Sequence, residues 1–139
     1  MANTTTKSIR IFFTKTGRAV YISHLDLYRL FQRAIKRGKL PVWETEGFNP
    51  HVYITFALPL ALGTAGLCES LDMKLTEDIS REELISRFND ALPRDIRVTD
   101  AAEPVRKPTE IALSEYEAHF ECDNDRFTEF LASEHIMAE

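Results

Sequence analysis

The chain has 139 residues, 44% hydrophobic and 28% charged, the balance of an ordinary globular protein with one domain or one domain plus part of another. No apolar run approaches the roughly 18–20 residues a membrane span needs, and the opening Met-Ala-Asn-Thr-Thr-Thr-Lys lacks a signal-peptide core, so a cytoplasmic protein with no membrane partner is expected. The net charge of −5 hides an asymmetry: residues 1–54 carry nine Lys/Arg against three Asp/Glu, the remainder eight against nineteen. That pattern admits either a local anionic partner for the N-terminal part or mutual neutralisation of the two parts within the fold.

Residues 1–7 form a polar tail. Ser8–Thr14 alternates and is rich in β-formers, which predicts a strand; Thr16-Gly17 marks a turn, and Ala19–Ile22 continues as extended chain. Ser23 then opens a helix as N-cap, with Asp26 three residues on as its capping-box partner. Leu27, Leu30, Phe31, Ala34 and Ile35 repeat as a buried helix face. Arg29, Arg33, Lys36 and Arg37 fall in a stripe about 100° wide on the other side. Gly38 is the C′ stop and Pro41 lies just beyond.

Val42–Glu46 reads as a short strand, followed by the turn Gly47-Phe48-Asn49-Pro50-His51. Val52–Leu58 is the next strand, with Val52, Ile54 and Phe56 on one face and Tyr53, Thr55 and Ala57 on the other. A packed loop through Gly63 and Gly66 leads to Glu69–Leu75, with Leu71, Met73 and Leu75 inward. Ser80 caps a second helix whose apolar face is Leu84, Ile85, Phe88, Ala91 and Leu92 and which Pro93 ends; Ile96–Thr99 is a last short strand. The order over residues 8–100 predicts an α+β domain, a ferredoxin-like βαββαβ antiparallel sheet with both helices on one face. Residues 101–108 are a linker with Pro104 and Pro108. Residues 109–139, with strand-like Tyr116–Cys122 and helix-like Asp123–Met137, look like the start of a second, similar unit, so that a longer natural protein, or one joined by another chain, is expected.

The chemistry-bearing groups are few. Cys68 and Cys122 are far apart, so no disulfide scaffold, zinc site or iron–sulfur centre is expected, and no metal or cofactor. Ser23, His24 and Asp26 are accounted for by capping, or His24 serves acid–base chemistry oriented by Asp26, with His51 as a second imidazole. His119 and His135 fall in the tail, outside any motif. The four-cation stripe suits a phosphate backbone, or is a solvated helix face. Trp43 and Phe56 are expected in the core. The Gly-Phe-Asn-Pro-His turn, longer than a hairpin needs, presents Phe48, Asn49 and His51 to an RNA base or a partner.

The strings I-S-H-L-D-L-Y-R-L-F-Q-R-A-I-K-R and L-P-V-W-E-T-E-G-F-N-P-H-V-Y-I-T-F-A-L-P-L-A-L-G resemble DUF2344, a bacterial family also called radical-SAM-linked proteins. That family typically has a proline after the last histidine, where this chain has Val52. The resemblance implies association with a radical-SAM protein and assigns no reaction. A fainter likeness to ferredoxin-like CRISPR-RNA endonucleases would put an acid–base histidine at His24. Three functions follow as expectations: an accessory module binding tRNA or rRNA, with no DNA partner; a metal-independent endoribonuclease using His24 and His51; or a docking module for the radical-SAM protein.

Overall fold

The computed structural model describes residues 6–119. Four strands, β1 (Lys7–Lys15), β2 (Ile54–Phe56), β3 (Gly66–Leu75) and β4 (Ile96–Ala102), form one antiparallel sheet in the order β2-β3-β1-β4. Helix α1 (His24–Arg37) joins β1 to β2 and helix α2 (Arg81–Ala91) joins β3 to β4. The expected α+β architecture is present, with β3 lying between β1 and β2. A connection through a helix on each side lets all neighbouring strands run antiparallel.

Strand alternation builds the core. Ile9, Ile11 and Phe13 of β1, Leu71, Met73 and Leu75 of β3, and Val52 and Ile54 beside them turn to one face. There they meet Leu27, Phe31, Ala34 and Ile35 of α1 and Leu84 and Phe88 of α2. Phe31 centres this layer, with ring centroids 4.9 Å from Phe13, 5.8 Å from Phe56 and 6.1 Å from Phe88. Both helices therefore cover the same face of the sheet.

Several expectations need correction. Ala19–Ile22 is not extended: Gly17–Tyr21 coils into a 3₁₀ turn held by Asp95, whose carboxylate accepts from Arg18 N–H at 2.9 Å. Gly17 has φ +56°, and a Cβ there would sit 2.8 Å from that carboxylate, so any side chain would be strained and would displace Asp95. Val42–Glu46 is no regular strand; it makes isolated bridges, Val42 to Leu75 and Glu44 to Val52, because it lies beyond the sheet edge with no outer partner. The strand expected over Val52–Leu58 is regular only at Ile54–Phe56, while β4 runs three residues past Thr99 into the segment read as a linker. The described part of Tyr116–Cys122 carries no strand, and Asp123–Met137 lies outside the described residues.

Helix caps follow the sequence in part. Ser23 and Ser80 each accept from the N–H three residues on, at 3.2 Å. At the other end of α1 the left-handed residue is Lys39 (φ +50°), not Gly38. Lys39 N–H bonds Lys36 O at 3.2 Å and Leu40 N–H bonds Ile35 O at 3.0 Å, the paired closure of a Schellman motif. Gly38 serves packing instead: a Cβ there would lie 3.3 Å from the carbonyl of Arg87 on α2. Lys39→Gly therefore relieves a left-handed side chain and should raise unfolding free energy by about 0.5–1 kcal/mol in urea denaturation. Ser80→Ala should lower it by about 1 kcal/mol through the lost cap.

Candidate functional site

The two ends of α1 lie at opposite ends of the sheet, and the sequence-predicted residues divide between them. At the N-terminal end, His24 occupies the first helical turn, its ring 5.0 Å from Phe56 and edge-on to it. Its Nδ1 is buried with no hydrogen-bond partner. Asp26 does not orient it, because that carboxylate lies outward, 3.6 Å from Arg29. The capping box is thus half made: Ser23 bonds Asp26 N–H, while Asp26 answers a cation on its own helix.

At the other end, the arm 42–53 leaves the sheet where Val42 bridges Leu75. Thr45 N–H bonds His51 O at 2.8 Å and Tyr53 N–H bonds Trp43 O at 3.2 Å, closing the arm around the loop Gly47–His51. Gly47 has φ +128°, a conformation only glycine adopts without strain, and it reverses the chain so that Phe48 is fully exposed. His51 Nδ1 lies 3.0 Å from Asn49 O and 3.1 Å from Thr45 Oγ1. A carbonyl only accepts, so Nδ1 carries the proton and Nε2 keeps the free lone pair, exposed to solvent. His24 reaches Phe56 and His51 lies five residues before it, about 16 Å along extended chain, so the two imidazoles do not form a pair.

Arg29, Arg33, Lys36 and Arg37 are all exposed on α1, with Asp26 the only carboxylate among the described residues that pairs with any of them. Lys36 and Arg37 end the helix at the same end of the sheet as the arm carrying Phe48 and His51. Phe56 packs against the core as expected, but Trp43 does not: it is half-buried on the sheet face away from the helices, edge-on to Tyr53 at 6.0 Å. Among the described residues no three His, Cys, Asp or Glu cluster as metal ligands, and no helix is long and apolar enough to cross a membrane.

One buried cation escaped the sequence reading. Lys15 continues the inward phase of Ile9, Ile11 and Phe13, a signal present in the alternation, and is fully buried with Nζ donating to Ile22 O at 2.6 Å. Burial pushes its ammonium below the usual lysine range, against the attraction of Glu69. Burial in turn raises the Glu69 carboxyl, against the pull of Lys15. Several apolar side chains are exposed toward this end: Tyr21, Leu25, Leu58, Leu62 and Leu67; Gly63 N–H bonds Val20 O at 2.7 Å to hold the loop against the 3₁₀ turn.

The described residues make a small α+β domain with charged and aromatic groups displayed around one sheet edge. The chain belongs to DUF2344, described as an uncharacterized protein family conserved in bacteria, whose model matches residues 8–139. No curated protein and no solved structure matches it.

Glu69 yields a prediction with a definite sign. Its folded pKa is raised, so its contribution to stability is present at pH below about 4.5 and is lost as pH rises through the folded value. Glu69→Gln removes that loss: its thermal midpoint should exceed wild type at pH 7 and converge on it near pH 4, by thermal melts across pH.

Proposed function

We propose that the chain is an accessory RNA-binding module that engages tRNA or rRNA for a radical-SAM modification enzyme. Arg29, Arg33, Lys36 and Arg37 meet phosphates, and Phe48, Asn49 and His51 contact a base. The observation that carries this reading is the junction of two features at one end of the sheet. A cationic helix face with a single pairing carboxylate among the described residues ends at the same end of the sheet as a loop that holds a phenylalanine fully in solvent. A hydrophobic ring held out by a positive-φ glycine contributes nothing to the core, and aromatic rings beside cations are the usual means of holding unstacked bases. With Nδ1 donating to Asn49 O, Nε2 of the exposed His51 ring is left as an acceptor.

A second reading, docking of the radical-SAM protein itself, draws on the other end of the molecule. Tyr21, Leu25, Leu58, Leu62 and Leu67 form an exposed apolar cluster of the kind that protein interfaces cover. The endoribonuclease reading has less support, because His24 stands apart from both Asp26 and His51.

Binding of labelled total bacterial RNA across a salt series tests the first reading. Affinity should fall steeply with salt, by roughly 0.7–0.9 log units per log salt for each phosphate neutralised. Arg29→Glu with Arg33→Glu should weaken binding and flatten that slope by about 2; an unchanged affinity, or no binding at low salt, would remove the reading. Phe48→Ala should leave the melting midpoint unchanged, since the ring touches nothing in the core, while reducing RNA affinity. Capture of the radical-SAM protein that survives nuclease but fails in Leu25→Asp would favour docking.

A further inference from the structure

The face of the sheet turned away from α1 and α2 carries a second set of groups. With Ile9, Ile11, Val52, Ile54, Met73 and Leu75 directed into the core, the intervening Ser8, Arg10, Tyr53, Asp72 and Lys74 point the other way. After β4 the chain folds back across this face. Arg10, held by Asp72 through bonds of 2.7 and 2.9 Å, donates a third at 2.7 Å to the carbonyl of Arg106, and Lys7 pairs with Glu103 at 2.7 Å. This strap covers the β1 side and leaves the β2 edge open. Between them runs a shallow groove lined by Ser8, Tyr53, Asp72, Met73, Lys74 and Pro104.

On the outer bank of the groove Trp43 stands edge-on to Tyr53, and the Lys74 ammonium lies 5.5 Å from one ring centroid and 6.0 Å from the other. Tyr53 is 43% exposed, and among the described residues no carboxylate pairs with Lys74. We propose that this groove receives one unpaired base of single-stranded RNA, stacked on Tyr53, with Lys74 at the adjoining phosphate. Each part of such a nucleotide finds its complement. The ring face of the base has an aromatic platform, its polar edge has the Ser8 hydroxyl, and its phosphate has a cation that no described carboxylate pairs with, since Asp72 is held by Arg10.

Geometry sets the choice of a single strand. A stacked base inside a duplex cannot lie flat on a ring at the floor of a sheet groove, whereas an unpaired one can. The groove also adjoins the surface already described: Tyr53 and Trp43 belong to the arm that carries Phe48, at the end of the sheet where Lys36 and Arg37 stop. A strand crossing the cationic face of α1 can thus turn around the β2 edge into the groove. The proposal rests on the RNA reading and extends it to a second face.

Trp43 is the only tryptophan in the chain, so its emission reports directly on this groove. The 139-residue protein is titrated with ten-nucleotide oligo-uridine and oligo-adenosine and with a blunt RNA duplex of the same length. Single strands should quench Trp43 at saturation and bind more tightly than the duplex. Tyr53→Phe, which keeps the ring, should bind as wild type. Tyr53→Leu, which keeps apolar bulk at the strand position, should bind about tenfold more weakly with an unchanged salt slope. Lys74→Gln should flatten the slope by about 1. Unchanged Trp43 emission at saturation, equal affinity for duplex, or wild-type affinity in Tyr53→Leu would each overturn the groove. If Arg29→Glu with Arg33→Glu still weakens binding in that case, the helix-face reading stands alone. Absence of any RNA binding at low salt removes both.

Discussion

The contact on which the rest of the fold depends is the one between Phe31 and its three aromatic neighbours. Phe31 is completely buried in the middle of α1 and touches the ring of Phe13 on β1, Phe56 on β2 and Phe88 on α2. Tilted and edge-on rings at these separations combine area burial with favourable quadrupole geometry, typically about 0.5–1.5 kcal/mol per pair beyond the area itself. More important is what the cluster connects. β2 is a three-residue edge strand with few ladder bonds, and Phe56, with Ile54, ties it to the helical layer. Weaken that tie and the arm 42–53 loses its base, and with it the position of Phe48, His51, Trp43 and Tyr53.

A different constraint fixes where α1 begins. Lys15 ends the inward row of β1, and its ammonium is consumed by the carbonyl of Ile22, immediately before the Ser23 cap. The bond couples the end of a strand to the start of a helix across the 3₁₀ turn that Asp95 and Gly17 shape. A buried cation with a partial counter-charge is seldom a large net stabiliser; it is better understood as specifying one arrangement over others, since leaving Ile22 O or the ammonium unpaired would be costly. The other cations lie on surfaces where water screens them: the outer face of α1, and Lys74 beside its two rings. Burial thus separates a cation that holds the fold from cations left at the surface.

How much of this was legible in the chain follows from which residues act locally. The cap at Ser23, the apolar repeat through Leu27, Phe31, Ala34 and Ile35, and the cationic stripe opposite them are consequences of helical period and neighbouring residues, and they hold in the structure. The inward phase of β3 and the exposed loop at Phe48 were equally local. Lys15 was present in the same alternation and was passed over because a lysine at an inward position reads as an exception until its acceptor is known. Gly38 was assigned to the wrong cause: a glycine after a helix reads as a left-handed cap, but here Lys39 takes that conformation and Gly38 makes room for α2.

The sequence by itself determined the α+β class, the two helices with their N-caps, the strand phases of β1 and β3 and the family, because each depends on residues within a few positions or on strings that can be matched directly. Only the tertiary structure decided that His24 and His51 lie at opposite ends of the sheet, that Trp43 faces out beside Tyr53 and Lys74, and that the segment after β4 crosses the open face to wall a groove. Those facts arise from strand order and from which edge is left unpaired. A one-dimensional pattern records the phase of a strand and does not record its neighbours.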